Sequence, residues 1–246
     1  MLRALKLYFK GLLIPRVTAP MLLGVILAEI GLYHLYTALD SASRVMYLSS
    51  LIPVLVTSFF NPLFITAAVT HIARTQDLTV FEFSLVGSRR SVSIARIIAC
   101  FTYVSIYLAS QIAVVYLYAS QVSLESDLML YISLAQTLYF YAAISVFTSV
   151  SMSRSISISV SSIASFALPL STMILLQNSI NSGRALDLAT SLILYILNSF
   201  AVYTNKILYG SLIELNVYLA VIVHLLLLIL ILTTYIVLFE RIDIKI

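Results

Sequence analysis

Long apolar runs bounded by charged residues constrain this 246-residue chain more than any other feature. The clearest run, residues 217–239, contains no Asp, Glu, Lys or Arg. A helix of about 20 apolar residues crosses a hydrocarbon core about 30 Å thick, and several runs reach that length. A closed barrel would instead need short segments of alternating polarity. With a mean hydropathy of +1.07, the sequence predicts an all-α, polytopic membrane protein.

The chain divides into an N-terminal helix and a single transmembrane domain. In residues 1–16, apolar side chains recur at helical spacing while Arg3, Lys6 and Lys10 are turned elsewhere. This pattern is typical of an interfacial elbow helix in the headgroup plane. Residues 17–246 form the transmembrane domain, with six predicted spans. These spans cover residues 17–36, 47–70, 93–118, 128–150, 156–176 and 217–239.

The region before the last span, residues 177–216, has a different pattern. Its apolar part, residues 188–200, has about 13 residues, a length typical of re-entrant or interfacial segments. If this segment is re-entrant, the chain has six spans and both termini lie on one side. If it crosses, the chain has seven spans and the C-terminal tail is exported. The sequence favours an extracellular re-entrant segment.

The distribution of basic residues predicts the orientation. Cytoplasmic segments of membrane proteins carry an excess of Lys and Arg, and the net charge of +4 fits this bias better than a nucleic-acid surface. With both termini cytoplasmic, eleven bases lie inside and three outside. The inside bases are Arg3, Lys6, Lys10, Arg16, Arg74, Arg89, Arg90, Arg96, Arg154, Arg241 and Lys245; the outside bases are Arg44, Arg184 and Lys206. We therefore predict a multi-pass protein of the cell membrane.

Motifs for covalent chemistry are missing from the sequence. It contains no GxxxxGK[ST] phosphate-binding loop, no HExxH and no GxSxG. A single cysteine, Cys100, offers neither an internal disulfide nor a metal cluster. Ser157, Ser161 and Ser165 lie on one face of the fifth span, where small residues usually permit close helix packing or line a polar path. We predict a non-enzymatic protein without a catalytic site, metal or cofactor of its own.

A charged segment separates the second and third spans. Between residues 77 and 96 it carries two acids and three arginines. Leu78, Phe81 and Leu85 recur at helical spacing, which predicts an amphipathic cytoplasmic helix followed by a basic corner. The alternative is an ordinary basic loop, as the positive-inside rule allows. The predicted partner-binding residues are Asp77, Leu78, Phe81, Glu82, Leu85, Ser88, Arg89 and Arg90.

With these features, the chain resembles the permease subunits of the second type of ATP-binding-cassette exporter. The Ser88-Arg89-Arg90 corner is similar to a corner of that family, and Ala95-Arg96 is similar to its small-plus-basic pair. Ser153-Arg154-Ser155 matches another recurring feature. The elbow helix, the six spans and the non-spanning segment before the last span extend the resemblance over the whole chain.

The resemblance implies a transport function. Such a subunit forms the translocation path as a homodimer or heterodimer of permeases in membrane lipid. It recruits a separate ATPase subunit that binds the ATP, and the implied contact is residues 71–96, here called the coupling segment. The substrate class remains open, because lipids, glycans, peptides and drugs all pass through such permeases.

Two ionisable residues inside predicted spans keep other functions open. Glu29 is the only acid within a predicted span, and intramembrane carboxylates are candidates for function. His224 lies at a similar predicted depth, so the two side chains could pair. A neutral Glu29 that only packs helices is the alternative. Two rival functions therefore stay open. One is a proton-coupled carrier that uses Glu29, and the other is a non-transporting scaffold subunit of a larger complex.

Overall fold

The computed structural model describes residues 61–72, 88–121, 128–151 and 154–241, together with residues 5–6, 23, 26–27 and 30–31. The described part of the chain is helical and contains no strand. This confirms the all-α class. Four of the described helices are long and apolar enough to cross a membrane, which is compatible with the predicted membrane protein. Most of the predicted elbow helix 1–16 and most of the predicted spans 17–36 and 47–70 lie outside the described residues.

Seven α-helices make up the described segments. Their bounds are α1 Asn61–Ile72, α2 Arg89–Gln121, α3 Leu128–Ser151, α4 Arg154–Ser182, α5 Leu188–Leu197, α6 Ser199–Leu208 and α7 Val217–Arg241. Helices α2, α3, α4 and α7 correspond to the predicted spans from the third onward. The sequence underestimated the lengths of α2 and α4, because their end turns are polar but still hydrogen-bonded as helix.

Helices α1 and α3 form the centre of the bundle. α1 packs between α3 and α4, and only Ala67 of its residues 61–70 is exposed. On α3, Leu134, Leu138 and Ala142 are fully buried. By contrast, α4 and α7 present rows of exposed apolar side chains, including Ile163 and Leu226. Such faces suit contact with lipid, because water would make their exposure costly.

The bundle has two distinct ends. The chain passes from α2 to α3 within six residues and from α3 to α4 within two, so these three helices run in alternating directions. α7 ends beside the start of α2, where Arg89 donates to the Glu240 carbonyl. We call this end the basic end, because Arg89, Arg90, Arg154 and Arg241 lie in the terminal turns there.

Helices α5 and α6 form a hairpin at the opposite end. The backbone N–H of Leu186 donates to the carbonyl of Leu212 at 2.8 Å, and Leu186 is bridged to Ile213. The chain therefore leaves the hairpin beside the point where it entered, having turned at Asn198. The sequence predicted one apolar segment over residues 188–200. The structure instead has two ten-residue helices, because Asn198 interrupts the first and caps the second.

Short polar contacts define the entry to this hairpin. Gly183, with a φ of 65°, ends α4 in the left-handed conformation, and the N–H of Arg184 donates to Ser179 at 3.2 Å. Asp187 then caps α5 by accepting from the Thr190 N–H at 3.0 Å. Hydrogen bonds from Thr190 hold the pKa of the Asp187 carboxyl below its ordinary value.

Candidate functional site

The break between α5 and α6 is held by polar side chains of α3. The Tyr141 hydroxyl donates to the Leu197 carbonyl at 2.8 Å, and the Phe200 N–H donates to the Thr137 hydroxyl at 3.1 Å. The Ser199 hydroxyl donates to the carbonyl of Ser133 at 2.9 Å. A helix end leaves backbone groups without intrahelical partners, and in an apolar environment they need protein partners. α3 supplies those partners.

Asn198 provides the remaining contact at the break. Its side-chain oxygen accepts from the Ala201 N–H at 3.2 Å, while its own N–H donates to the Leu194 carbonyl at 2.8 Å. The residue is fully buried. One side chain thus ends α5 and starts α6, which is the role that asparagine takes at helix caps.

Gln136 links three elements at the same level. The Tyr195 hydroxyl of α5 donates to Gln136 Oε1 at 2.7 Å, and Gln136 Nε2 donates to the Val221 carbonyl of α7 at 3.3 Å. Gln136 itself belongs to α3. Its amide group can donate and accept at once, so it ties the hairpin to α7 through α3.

His224 of α7 lies beside Gln136. The residue is fully buried, and its ring makes edge contacts with Phe140 at 5.3 Å and Tyr195 at 6.3 Å between centroids. Neither ring nitrogen has a hydrogen-bond partner of ordinary geometry among the described residues, although the ring lies beside the backbone of Gln136. Glu29, the predicted partner of His224, lies outside the described residues.

The environment of His224 leads to a stability prediction. His224→Phe keeps the aromatic contacts and removes two buried nitrogens, so we expect no loss of thermal stability in detergent. His224→Ala leaves a cavity and should cost about 3 kcal/mol. A loss with His224→Phe as large as with His224→Ala, partly recovered by adding Glu29→Gln, would instead establish the pairing with Glu29, since contacting residues couple.

A second buried polar cluster joins α1 to α2. Asn61 Nδ2 donates to Gln111 Oε1 at 2.8 Å, and the Tyr107 hydroxyl donates to Asn61 Oδ1. Phe64 stacks on the Tyr107 ring with 4.6 Å between centroids. The three polar residues are fully buried. Because each amide group finds a partner, this cluster holds the first turn of α1 in place.

The first two serines of the row on α4 contact α3. Ser157, Ser161 and Ser165 are all buried. The Ser161 and Thr148 hydroxyls are 2.5 Å apart, and the Ser157 hydroxyl donates to Thr148 at 3.4 Å. Of the two interpretations that the sequence left open, this geometry favours close helix packing.

The basic corner of the coupling segment contacts the end of α7. Arg90 Nε lies 3.8 Å from the Glu240 carboxylate, and Arg89 Nη1 donates to the Glu240 carbonyl at 3.0 Å. Ser88 is exposed and starts α2, accepting from the Ser91 N–H at 3.4 Å. The other predicted partner-binding residues lie outside the described residues. These are Asp77, Leu78, Phe81, Glu82 and Leu85.

The polar groups at the level of the hairpin are an amide, a phenol and an imidazole within an apolar surrounding. All three are buried, and the amide and the phenol are hydrogen-bonded to each other. Among the described residues, no group of three His, Cys, Asp or Glu side chains could hold a metal ion. No protein-family model, curated protein or solved structure matches this chain.

Sequence reasoning identified His224 but missed the residues around it. Gln136, Thr137 and Tyr141 look unremarkable in a span that contains many polar side chains. One local feature pointed to the break: Asn198-Ser199 interrupts an otherwise apolar run, and both residue types favour helix caps. The partners of the break are 56 to 66 residues away in the chain, so no local pattern predicts them.

Proposed function

We propose that this chain is the transmembrane permease subunit of an ATP-driven exporter, coupled to a separate ATPase. The observation that carries the proposal is the placement of the α5–α6 hairpin immediately before the last membrane-length helix. In the family that the sequence resembles, a non-spanning segment occupies this position. Beneath the hairpin lies a polar layer, made of Gln136, Thr137 and Tyr141 of α3, Tyr195 of α5 and His224 of α7. In the proposed function, these buried side chains contact the substrate when the path opens.

The charge distribution supports a cytoplasmic basic end. Four arginines lie in terminal turns at that end, whereas the hairpin end has Arg184 and Lys206 accompanied by the acids Asp187 and Glu214. We therefore expect the hairpin on the outside, and its return to the point of entry supports a re-entrant segment. The same rule predicts a cytoplasmic coupling segment, which an ATPase subunit could bind.

The proposed mechanism uses no covalent chemistry on this chain. ATP binding would close the two ATPase subunits, and the coupling segments would transmit that movement to the spans. Two permease copies would form the path between them, with exposed apolar faces of α4 and α7 available for lipid or for the second copy. Access to the polar layer would alternate between the two sides of the membrane.

Co-purification tests the proposal directly. The tagged chain, expressed from its native genomic context and extracted in mild detergent, should recover an ATPase subunit in a one-to-one ratio. Substrate-stimulated ATP hydrolysis by that complex would support the exporter. A stable assembly that lacks an ATPase would favour the scaffold function. Transport that needs no ATP and is lost in Glu29→Gln would favour the proton-coupled carrier.

The topology gives a separate prediction. In the Cys100→Ala background, a cysteine at Asn181 should react with an impermeant thiol reagent from outside the cell. Cysteines at the two termini should react only after the membrane is opened, because both termini are expected in the cytoplasm. External labelling of the C-terminus would show that the α5–α6 segment crosses the membrane, and the six-span topology would be wrong.

A further inference from the structure

We infer that arginines at the start of α2 clamp the end of α7, so that α2 and α7 move as one body and carry motion from the coupling segment to the α5–α6 hairpin. The inference rests on the proposed function, which supplies the motion. It gives Arg89, Arg90 and Arg96 a positioning role within the chain. The sequence had assigned the first two to the ATPase contact.

The solvent-facing part of the clamp is electrostatic. Arg89 donates to the last-turn carbonyl of Glu240, and Arg90 pairs with the Glu240 carboxylate. Cations at a helix C-terminus are favourable, because the terminal carbonyls carry partial negative charge. Exposed ion pairs contribute little to stability by themselves. These two contacts therefore fix the position of α7 along α2 but contribute little to the free energy of unfolding.

The buried part of the clamp is Arg96. Its side chain is 2% exposed, and its guanidinium carbon lies 5.1 Å from the centroid of the Phe239 ring. A cation over an aromatic face is attracted more strongly when both groups are removed from water. Burying a charge also costs desolvation, and an apolar side chain of similar volume often serves stability equally well. Arg96 thus adds a buried contact between α2 and α7 to the two exposed ones.

The other end of α7 is tied to the hairpin. The Val221 carbonyl accepts from Gln136, and Gln136 in turn accepts from Tyr195 of α5. At about 1.5 Å per residue, Val221 and Glu240 lie about 28 Å apart along α7. One continuous helix therefore connects the basic corner to the polar layer. A displacement of α2 at the clamp would reach the hairpin along α7.

The first test breaks the clamp while keeping the volume of the side chain. Arg96→Met removes the charge and preserves most of the packing, whereas Arg96→Lys keeps a cation. Arg96 is buried inside the bundle and is not one of the predicted partner-binding residues. We therefore expect Arg96→Met to recover the ATPase subunit normally but to lower transport per ATP hydrolysed by about tenfold or more. Arg96→Lys should retain part of the coupling. Unchanged coupling in Arg96→Met would overturn the inference, whereas failure of the wild-type chain to recover any ATPase would overturn the proposed function.

The second test locks the clamp. In the Cys100→Ala background, Arg90→Cys and Glu240→Cys can be joined by a short, reducible, bifunctional thiol reagent. If α2 and α7 move together, the joined protein keeps the transport per ATP of the untreated protein. Inhibition that is reversed by a reducing agent would show that this contact opens during the cycle, and the one-body inference would be wrong. The two single-cysteine variants, treated in the same way, are the controls.

A third measurement needs no partner subunit. Arg96→Met and Phe239→Leu should shift the melting temperature of the purified chain non-additively, because residues in contact couple in a double-mutant cycle. Additive shifts would show that the two side chains do not interact, and the clamp would be rejected whatever the ATPase result.

Discussion

Replacing Phe81 and Leu85 together by alanine is expected to abolish recovery of the ATPase subunit while leaving membrane insertion intact. The two side chains share one face of the predicted helix in the coupling segment, outside every predicted span. Apolar anchors of this kind fill a groove on the partner. Two central anchors, each truncated, should together weaken the complex by about a thousandfold. A pull-down at matched expression measures the effect.

A matched control is available on the exposed face of α7. Leu226→Ala combined with Leu230→Ala removes two apolar side chains at the same four-residue spacing, and both are more than half exposed. This control should recover the ATPase normally, because each copy would bind its ATPase through its own coupling segment and not through this face of α7. Arg89→Ala should have a milder effect, since it lies at the edge of the predicted contact and also binds Glu240. If the double variant of Phe81 and Leu85 recovers as much ATPase as the wild-type chain, the coupling segment does not bind the ATPase. It would then be an ordinary basic loop.

The second large effect is expected from Thr137→Val, which should destabilise the protein by about 2 kcal/mol. The Thr137 hydroxyl accepts from the N–H of Phe200, a donor in the first turn of α6 that has no intrahelical partner. Valine has the same shape but cannot accept a hydrogen bond. The buried N–H would therefore be left unsatisfied. Unfolding of the purified chain by heat or by a titrated denaturing detergent measures the loss.

Two variants isolate this hydrogen bond. The Thr233 hydroxyl donates to the carbonyl four residues earlier, as the Thr137 hydroxyl does, but Thr233 is exposed. Thr233→Val should therefore leave stability nearly unchanged. Thr137→Ser keeps the acceptor and should retain most of the stability. Equal losses in Thr137→Val and Thr233→Val would show that the contact between α3 and the hairpin contributes nothing measurable.

Local patterns predicted several helices closely. The last predicted span, residues 217–239, corresponds to the helix Val217–Arg241. The fourth predicted span, residues 128–150, corresponds to the helix Leu128–Ser151. Both assignments depend on a continuous apolar run of membrane length, which is a property of neighbouring residues. The same local reasoning placed α2 and α4 but ended them early, since hydropathy falls before the helical hydrogen bonds stop.

The contacts of the candidate site could not be predicted in this way. Gln136 meets Tyr195 and Val221, which are 59 and 85 residues further along the chain. Arg89 meets Glu240 at a separation of 151 residues. Nothing in the neighbourhood of Arg89 distinguishes an arginine that binds a partner protein from one that binds the last helix of its own chain. The sequence predicted that Arg89 binds a partner protein, whereas the structure shows a contact with Glu240 of its own chain.

By itself, the sequence determined the helical class of the described residues and the approximate positions of the four membrane-length helices, because apolar length and helical spacing act between residues close in the chain. It also determined the expected orientation, because the basic residues are counted without knowing any contact. Only the tertiary structure decided that residues 187–213 turn back at Asn198 and that side chains of α3 pair with the free backbone groups at this break. The burial of Arg96 against Phe239 was also decided only there. Those features depend on which distant polar groups meet in an apolar interior, where each unsatisfied group is costly and helix packing selects the partner.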